Sequence, residues 1–77
     1  MASLVHFRKV SESEESVEYL FGFDGREERR RLVMDVHSRR ARPSDGKVDY
    51  EFLKSSRRIN ALYVETGRWP ERGMSAS

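Results

Sequence analysis

The chain has 77 residues and no cysteine, so it is long enough for one small domain and excludes disulfides and thiolate metal ligands. Its 15 basic side chains are nearly offset by 13 acidic ones, which leaves a net charge of only +2. No apolar run approaches the roughly 20 residues that span a bilayer, and no signal-peptide core is visible, so we expect a soluble, cytoplasmic protein without a membrane partner.

Alternating apolar residues predict three β-strands in the first half of the chain. The first strand is expected over residues 4–10, the second over residues 17–23 and the third over residues 32–36. In each of them the apolar side chains recur at every other position, which places them on one face of an extended chain. The polar and acidic residues 11–16 are expected to connect the first two strands in solvent.

The connection between the second and third strands admits two registers. The Asp-Gly dipeptide at 24–25 is a two-residue hairpin signal and, taken literally, places Phe21 opposite Glu28. A longer loop over residues 24–29 instead places Phe21 opposite Leu32, so that apolar side chains meet across the strands. Because register follows burial when one face of a sheet is covered, we expect the longer loop.

A helix is predicted near the C-terminus. Residues 37–47 contain a proline and a glycine and are expected to form an irregular connector. An amphipathic pattern then predicts a helix over residues 48–66, with Asp45 or Asp49 as its N-cap and Gly67 as its C-cap.

These elements predict an α+β fold, namely a three-stranded antiparallel β-meander packed on one C-terminal α-helix in the order β-β-β-α. Residues 1–67 are expected to form this single domain. Residues 68–77 lack periodicity and are expected to form a C-terminal tail that is partly disordered.

No residue pattern predicts catalysis. Asp35, His37 and Ser38 supply the residue types of a catalytic triad, but they adjoin one another at the end of the third strand, and we interpret them as a solvated strand end. The other histidine, His6, belongs to a separate strand, which gives little support to a metal site. We therefore expect no enzyme activity, no metal and no cofactor.

Arginine supplies 12 of the 15 basic residues, and several arginines cluster at the two ends of the third strand. Guanidinium groups suit phosphate contact, whereas a run of charges more often forms a solvated face. An alternative hypothesis is therefore a nucleic-acid-binding module. The arginines that it would use are Arg30, Arg31, Arg39, Arg40 and Arg42.

Two apolar features favour a protein contact instead. Leu20 and Val33 are expected to be cross-strand neighbours on the sheet face away from the helix, with Arg31 beside them. Trp69 follows the helix, where a tryptophan either closes the core or anchors an interface. We therefore expect a small non-enzymatic adaptor or regulatory module that binds an unidentified protein partner, or a second copy of itself, through Leu20, Arg31, Val33 and Trp69.

Overall fold

The computed structural model describes residues 4–23 and 30–76. Its elements are β1 (Leu4–Glu12), β2 (Ser16–Phe23), β3 (Arg30–Asp35), β4 (Ala41–Pro43), α1 (Tyr50–Thr66) and β5 (Arg72–Ala76). The five strands form one antiparallel sheet in the spatial order β4-β3-β2-β1-β5. The predicted loop over residues 24–29 lies outside the described residues.

The predicted fold class is confirmed in its coarse form, an α+β protein with an antiparallel sheet and one C-terminal helix. The predicted number of strands is wrong, because the sheet has five strands and not three. Strands β1 to β4 form a meander, and α1 then crosses the sheet so that β5 pairs with β1 at the far edge.

Strand β4 lies in the stretch that was expected to be an irregular connector. Its Pro43 has no N–H to donate, but β4 is an edge strand, where proline is tolerated. The reversal that leads into β4 is tight, since the Asp35 N–H donates to the Arg40 carbonyl at 2.8 Å. Arg39 takes a left-handed conformation within this turn, with φ of 60°.

Strand β5 lies in the segment that was expected to be a tail. Gly73 on β5 pairs with Phe7 on β1, and the covered side of this position has no room for a side chain. A Cβ atom on Gly73 would lie 2.7 Å from Cζ of the Phe7 ring. The glycine therefore marks a close approach between backbone and ring rather than a break in structure.

The register of β2 and β3 lies midway between the two that the sequence admits. Tyr19 pairs with Leu32, so the predicted pairing of Phe21 with Leu32 is wrong by two positions. A register shift of two residues keeps every side chain of β3 on its expected face of the sheet. The observed register places Arg30 opposite Phe21, with the guanidinium carbon 4.8 Å from the ring centroid.

The core lies between α1 and one face of the sheet. It is rich in aromatic rings, and the Phe7 and Tyr19 rings meet edge to face with their centroids 5.7 Å apart. The Tyr19 hydroxyl donates to the Pro70 carbonyl at 2.6 Å, which ties the chain after α1 to the middle of the sheet. The buried members of the core cluster are Phe7, Val17, Tyr19, Phe21, Leu32, Met34, Phe52, Ile59 and Trp69.

Both ends of α1 are capped. Asp49 is the N-cap, and its carboxylate accepts the Phe52 N–H at 3.0 Å. Gly67 is the C-cap in a left-handed conformation with φ of 76°, and its N–H donates to the Tyr63 carbonyl. Within residues 4–23 and 30–76, no helix has the length and apolar content needed to cross a membrane.

Replacing Gly73 with alanine tests the close approach of β5 to β1. The added methyl group overlaps the buried Phe7 ring, so we expect Gly73→Ala to lower the free energy of unfolding by about 1–3 kcal/mol. Urea denaturation measures this loss. Ser75→Ala, two positions along the same strand, is the control and should change stability by less than about 0.5 kcal/mol. Equal stability of the two variants would contradict the packing of Gly73 on Phe7.

Candidate binding surface on the open sheet face

Helix α1 packs on one face of the sheet, and within residues 4–23 and 30–76 no helix or strand covers the other face. Side chains alternate along each strand, so the positions between the buried ones share the uncovered side, which we call the open face. Its main charged and apolar side chains are Arg8, Glu18, Leu20, Arg31, Val33, Arg42, Arg72 and Met74.

One row of the open face crosses four strands. Leu20 pairs with Arg31 on β3 and with Arg8 on β1, and Arg8 pairs in turn with Arg72 on β5. The three arginines are exposed and Leu20 is half-buried. Since neighbouring strands lie about 4.8 Å apart, the backbone positions of the three arginines lie within about 14 Å of one another.

A second row contains Val33, which lies between Arg42 on β4 and Glu18 on β2. One oxygen of the Glu18 carboxylate accepts a hydrogen bond from Arg31 at 3.1 Å, and the other accepts one from the Ser11 hydroxyl at 3.3 Å. Glu18 is therefore paired with Arg31 and neutralises the charge of that arginine on the open face.

The structure brings Leu20, Arg31 and Val33 onto this one face. Leu20 and Val33 are diagonal neighbours and not the direct cross-strand pair that was expected, because the observed register pairs them with Arg31 and Glu18. Diagonal positions are about 7–8 Å apart, so two half-buried aliphatic side chains still form one apolar spot.

Trp69 does not join them, because it lies on the helix-covered side of the sheet. Its ring stacks on the Tyr63 ring with a centroid distance of 4.1 Å and an interplanar angle of 17°. Trp69 is 7% exposed and belongs to the core cluster. The indole thus closes the core beyond the end of α1 and is not available as a surface anchor.

Arg30 also lies on the helix-covered side, where its guanidinium group is enclosed by acceptors. Nε and Nη2 donate to the Asp45 carboxylate, and Nη1 donates to Asp49 and Glu51, at distances of 2.8 to 3.2 Å. Nη2 also donates to the Lys47 carbonyl at 2.8 Å. A guanidinium group has five N–H donors, so Arg30 has none left for an external phosphate.

This cluster shifts the pKa values of its members. The hydrogen bonds from Arg30 hold the pKa values of Asp45 and Asp49 below the usual 3.8. Burial opposes the charge on Arg30, but its bonds to Asp45, Asp49 and Glu51 outweigh that effect and raise its pKa. Glu51 is nearly buried, and its second oxygen accepts the Phe23 N–H at 3.1 Å, which joins α1 to β2.

The remaining arginines of the alternative hypothesis lie around the turn between β3 and β4. Arg39 and Arg40 are exposed in the turn, and Arg42 follows on β4. Arg40 and Arg42, together with Val33 and Asp35, border a depression of about 400 Å³ at one edge of the open face. Arg31, Arg40 and Arg42 therefore lie near one another, whereas Arg30 is separated from them by the sheet.

Asp35 stabilises this turn. Its Oδ1 atom accepts the backbone N–H groups of Ser38 at 2.8 Å and of His37 at 2.9 Å. These hydrogen bonds lower the pKa of Asp35. Across residues 4–23 and 30–76, no group of three or more histidine, aspartate and glutamate residues has the arrangement of a metal site.

Sequence reasoning did not include Arg8, Arg72 or Met74 in the candidate surface. Arg8 belongs to the predicted first strand, and its alternation with Phe7 was the available signal for its outward position. Arg72 was assigned to the tail, so nothing in the sequence placed it beside Arg8. Their juxtaposition depends on the pairing of β5 with β1.

The chain matches no protein-family model, no curated protein and no solved structure. Its function is therefore inferred from the geometry and chemistry of the described residues.

Replacing Trp69 with alanine tests whether this residue acts through packing. A buried aromatic side chain is lost, so we expect Trp69→Ala to lower the free energy of unfolding by about 3–5 kcal/mol in urea denaturation. Val64→Ala is the control, since Val64 is 65% exposed on α1 and should have little effect. A loss smaller than about 1 kcal/mol for Trp69→Ala would instead indicate a surface role.

Replacing Arg30 with glutamine tests the ion cluster through its pH dependence. At pH 7 we expect a loss of about 1–3 kcal/mol, because the nearly buried Glu51 carboxylate loses its charged partner. In the native chain the lowered pKa values of Asp45 and Asp49 add stability above pH 3.8, and this stability is lost as the pH falls through the lowered values. Arg30→Gln should therefore show a smaller loss of stability on acidification.

Urea denaturation between neutral pH and acid pH measures both effects of Arg30→Gln. Arg31→Gln is the matched control, since Arg31 has a half-exposed side chain and one carboxylate partner, Glu18. It should keep the acid dependence of the native chain. The same acid dependence in Arg30→Gln and Arg31→Gln would contradict the proposed role of the cluster.

Proposed function

We propose that this protein is a small non-enzymatic adaptor or regulatory module that binds another protein through its open face. The observation that carries the proposal is an uncovered apolar spot, Leu20 and Val33, surrounded by the exposed guanidinium groups of Arg8, Arg31 and Arg42. Apolar centres with arginine around them are common in protein interfaces, where arginine is enriched among the residues that dominate affinity.

The charge of the open face supports an acidic partner surface. Arg8, Arg42 and Arg72 contact no carboxylate among residues 4–23 and 30–76, whereas Glu18 is already paired with Arg31. An acidic partner would complement the three unpaired arginines and would steer association. A second copy docking face to face would instead bring arginines against arginines, so we propose a different protein as the partner.

We propose a protein without enzyme activity because Asp35, His37 and Ser38 serve to stabilise a turn. The Asp35 carboxylate accepts the backbone N–H groups of His37 and Ser38, and the Ser38 hydroxyl accepts the Arg40 N–H at 3.3 Å. These groups therefore hold a turn together. A serine nucleophile would need a hydrogen bond to the histidine that acts as its base, and the described arrangement shows none between the Ser38 hydroxyl and the His37 imidazole.

A second candidate function is nucleic-acid binding on the same face. The observation in its favour is that exposed arginines lie at both edges of the open face, Arg40 and Arg42 on one side and Arg8 and Arg72 on the other. Arg30 is left out, because the carboxylates around it already occupy its donors. Such binding would weaken steeply with added salt through counterion release.

Capture of a partner by tagged protein from host lysate, with matched variants, tests the proposed function. We expect the double variant Leu20→Asp and Val33→Asp to reduce capture roughly tenfold or more, because it puts two carboxylates into the centre of the interface. Val64→Asp is the control, since it places the same charge on the outer side of α1. Circular dichroism confirms that each variant is folded.

The outcomes separate the two candidate functions. A protein captured after nuclease treatment and at moderate salt, and lost in the double variant but kept by Val64→Asp, supports the protein-binding module. Captured material that disappears with nuclease or with salt supports the nucleic-acid hypothesis. Equal capture by the double variant and by Val64→Asp would contradict a role for the open face.

A further inference from the structure

Two arginines lie directly opposite each other on β1 and β5. Arg8 pairs with Arg72, and the neighbouring Lys9 N–H donates to the Glu71 carbonyl at 2.7 Å. Hydrogen-bonded and non-hydrogen-bonded pairs alternate along an antiparallel ladder, so Arg8 and Arg72 form a non-hydrogen-bonded pair, the kind whose side chains approach most closely. The Cβ atoms in such pairs are about 4.5–5.5 Å apart.

The two positive charges are not compensated by the part of the chain that the structure describes. Neither guanidinium group has an ionic or hydrogen-bonding partner among residues 4–23 and 30–76. Glu71, next to Arg72 in the sequence, pairs with Lys9 at 3.0 Å, and Glu18 pairs with Arg31. Like charges directly opposite each other destabilise a sheet. An anion bound between Arg8 and Arg72 would relieve this repulsion and stabilise the folded protein.

A depression of about 470 Å³ lies at this pair. Its lining includes Arg8 and Arg72 together with His6 and Met74, which form the next cross-strand pair on the same face. Met74 is 52% exposed and offers apolar contact beside the two cations. An incoming group would therefore meet a doubly positive end and an apolar end within one depression.

We propose that Arg8 and Arg72 bind a phosphoryl group, and that this group belongs to a phosphorylated serine or threonine in the protein partner. The inference rests on the proposed function and names the feature of the partner that this corner of the open face recognises. A phosphorylated side chain carries a charge of about −1.5 to −2 and three acceptor oxygens, which match two guanidinium groups. A glutamate or aspartate would neutralise one of the two charges.

The surroundings favour a phosphorylated protein over a nucleic acid. Glu18 and Asp35 lie on the same side of the sheet and oppose a polyanion that runs across it. The described residues of the open face include no phenylalanine, tyrosine or tryptophan on which bases would stack. The unpaired charge at β1 and β5 is thus suited to one compact dianion next to an apolar contact.

Titration of isotope-labelled protein, followed by amide chemical shifts, tests the site. The probes are inorganic phosphate, the tripeptide Gly-phosphoserine-Gly, and the tripeptides Gly-Ser-Gly and Gly-Glu-Gly. We expect saturable shifts of β1 and β5 amides with the first two probes. Gly-Glu-Gly should bind roughly tenfold more weakly, since it can satisfy fewer charge-assisted hydrogen bonds, and Gly-Ser-Gly should not bind.

The variant Arg72→Gln should weaken phosphate binding roughly tenfold or more. It should remain folded, because it removes a like-charge pair from the sheet. Phosphate should raise the melting temperature of the native chain and leave that of Arg72→Gln nearly unchanged. Arg57→Gln is the control, since it removes the same charge from an exposed position on α1.

Three results would overturn the inference. The first is that phosphate causes no saturable amide shifts in the native chain. The second is that Arg72→Gln and Arg57→Gln weaken phosphate binding equally. The third is that a single-stranded oligonucleotide binds more tightly than Gly-phosphoserine-Gly and shifts the amides of residues around Arg31 and Arg42. If the captured partner is retained after phosphatase treatment and by Arg72→Gln but is lost in the Leu20 and Val33 double variant, the phosphoryl inference fails while the proposed function stands.

Discussion

The contact of Arg30 with three carboxylates holds the sheet and the helix in one arrangement. Arg30 begins β3 opposite Phe21, and Asp49 and Glu51 belong to the first turn of α1 and its cap. The same side chain therefore contacts Phe21 on β2 and joins β3 to the start of α1. This ion cluster therefore lies on the helix-covered side of the sheet, away from the open face.

Arg30 and Arg31 show how a single step along a strand separates two roles. Arg30 points toward α1 and is enclosed by acceptors, whereas Arg31 points away and shares the open face with Leu20. Their chemistry is identical, so composition alone does not distinguish them. The alternation of side chains along the strand distinguishes Arg30 from Arg31, once the covered face of the sheet is known. The positive charge of the open face then comes from several strands, since β1, β3, β4 and β5 each contribute an arginine.

Local patterns predicted the middle of the fold and not its edges. The first three strands, the Gly67 cap and the shared face of Leu20 and Val33 follow from alternation and capping preferences, which act over a few residues. Strands β4 and β5 have few apolar residues, and their pairing depends on partners elsewhere in the chain. The predicted register counted only apolar cross-strand pairs, whereas the observed register places Arg30 opposite Phe21 and within reach of the start of α1. Arg72 lies on β5, so its place in the candidate site could not be predicted without the pairing of β5 with β1.

Strand β5 also protects the longest strand of the sheet. It occupies the hydrogen-bonding edge of β1, a nine-residue strand that carries Val5 and Phe7 on its buried face. Without β5, that edge would be long and unpaired and would lie beside a row of apolar side chains, which is the kind of edge that templates aggregation. At the opposite end of the sheet β4 is three residues long and ends in Pro43, so it is a poor template. Proteolytic loss of β5 would thus expose this edge of β1 and favour aggregation.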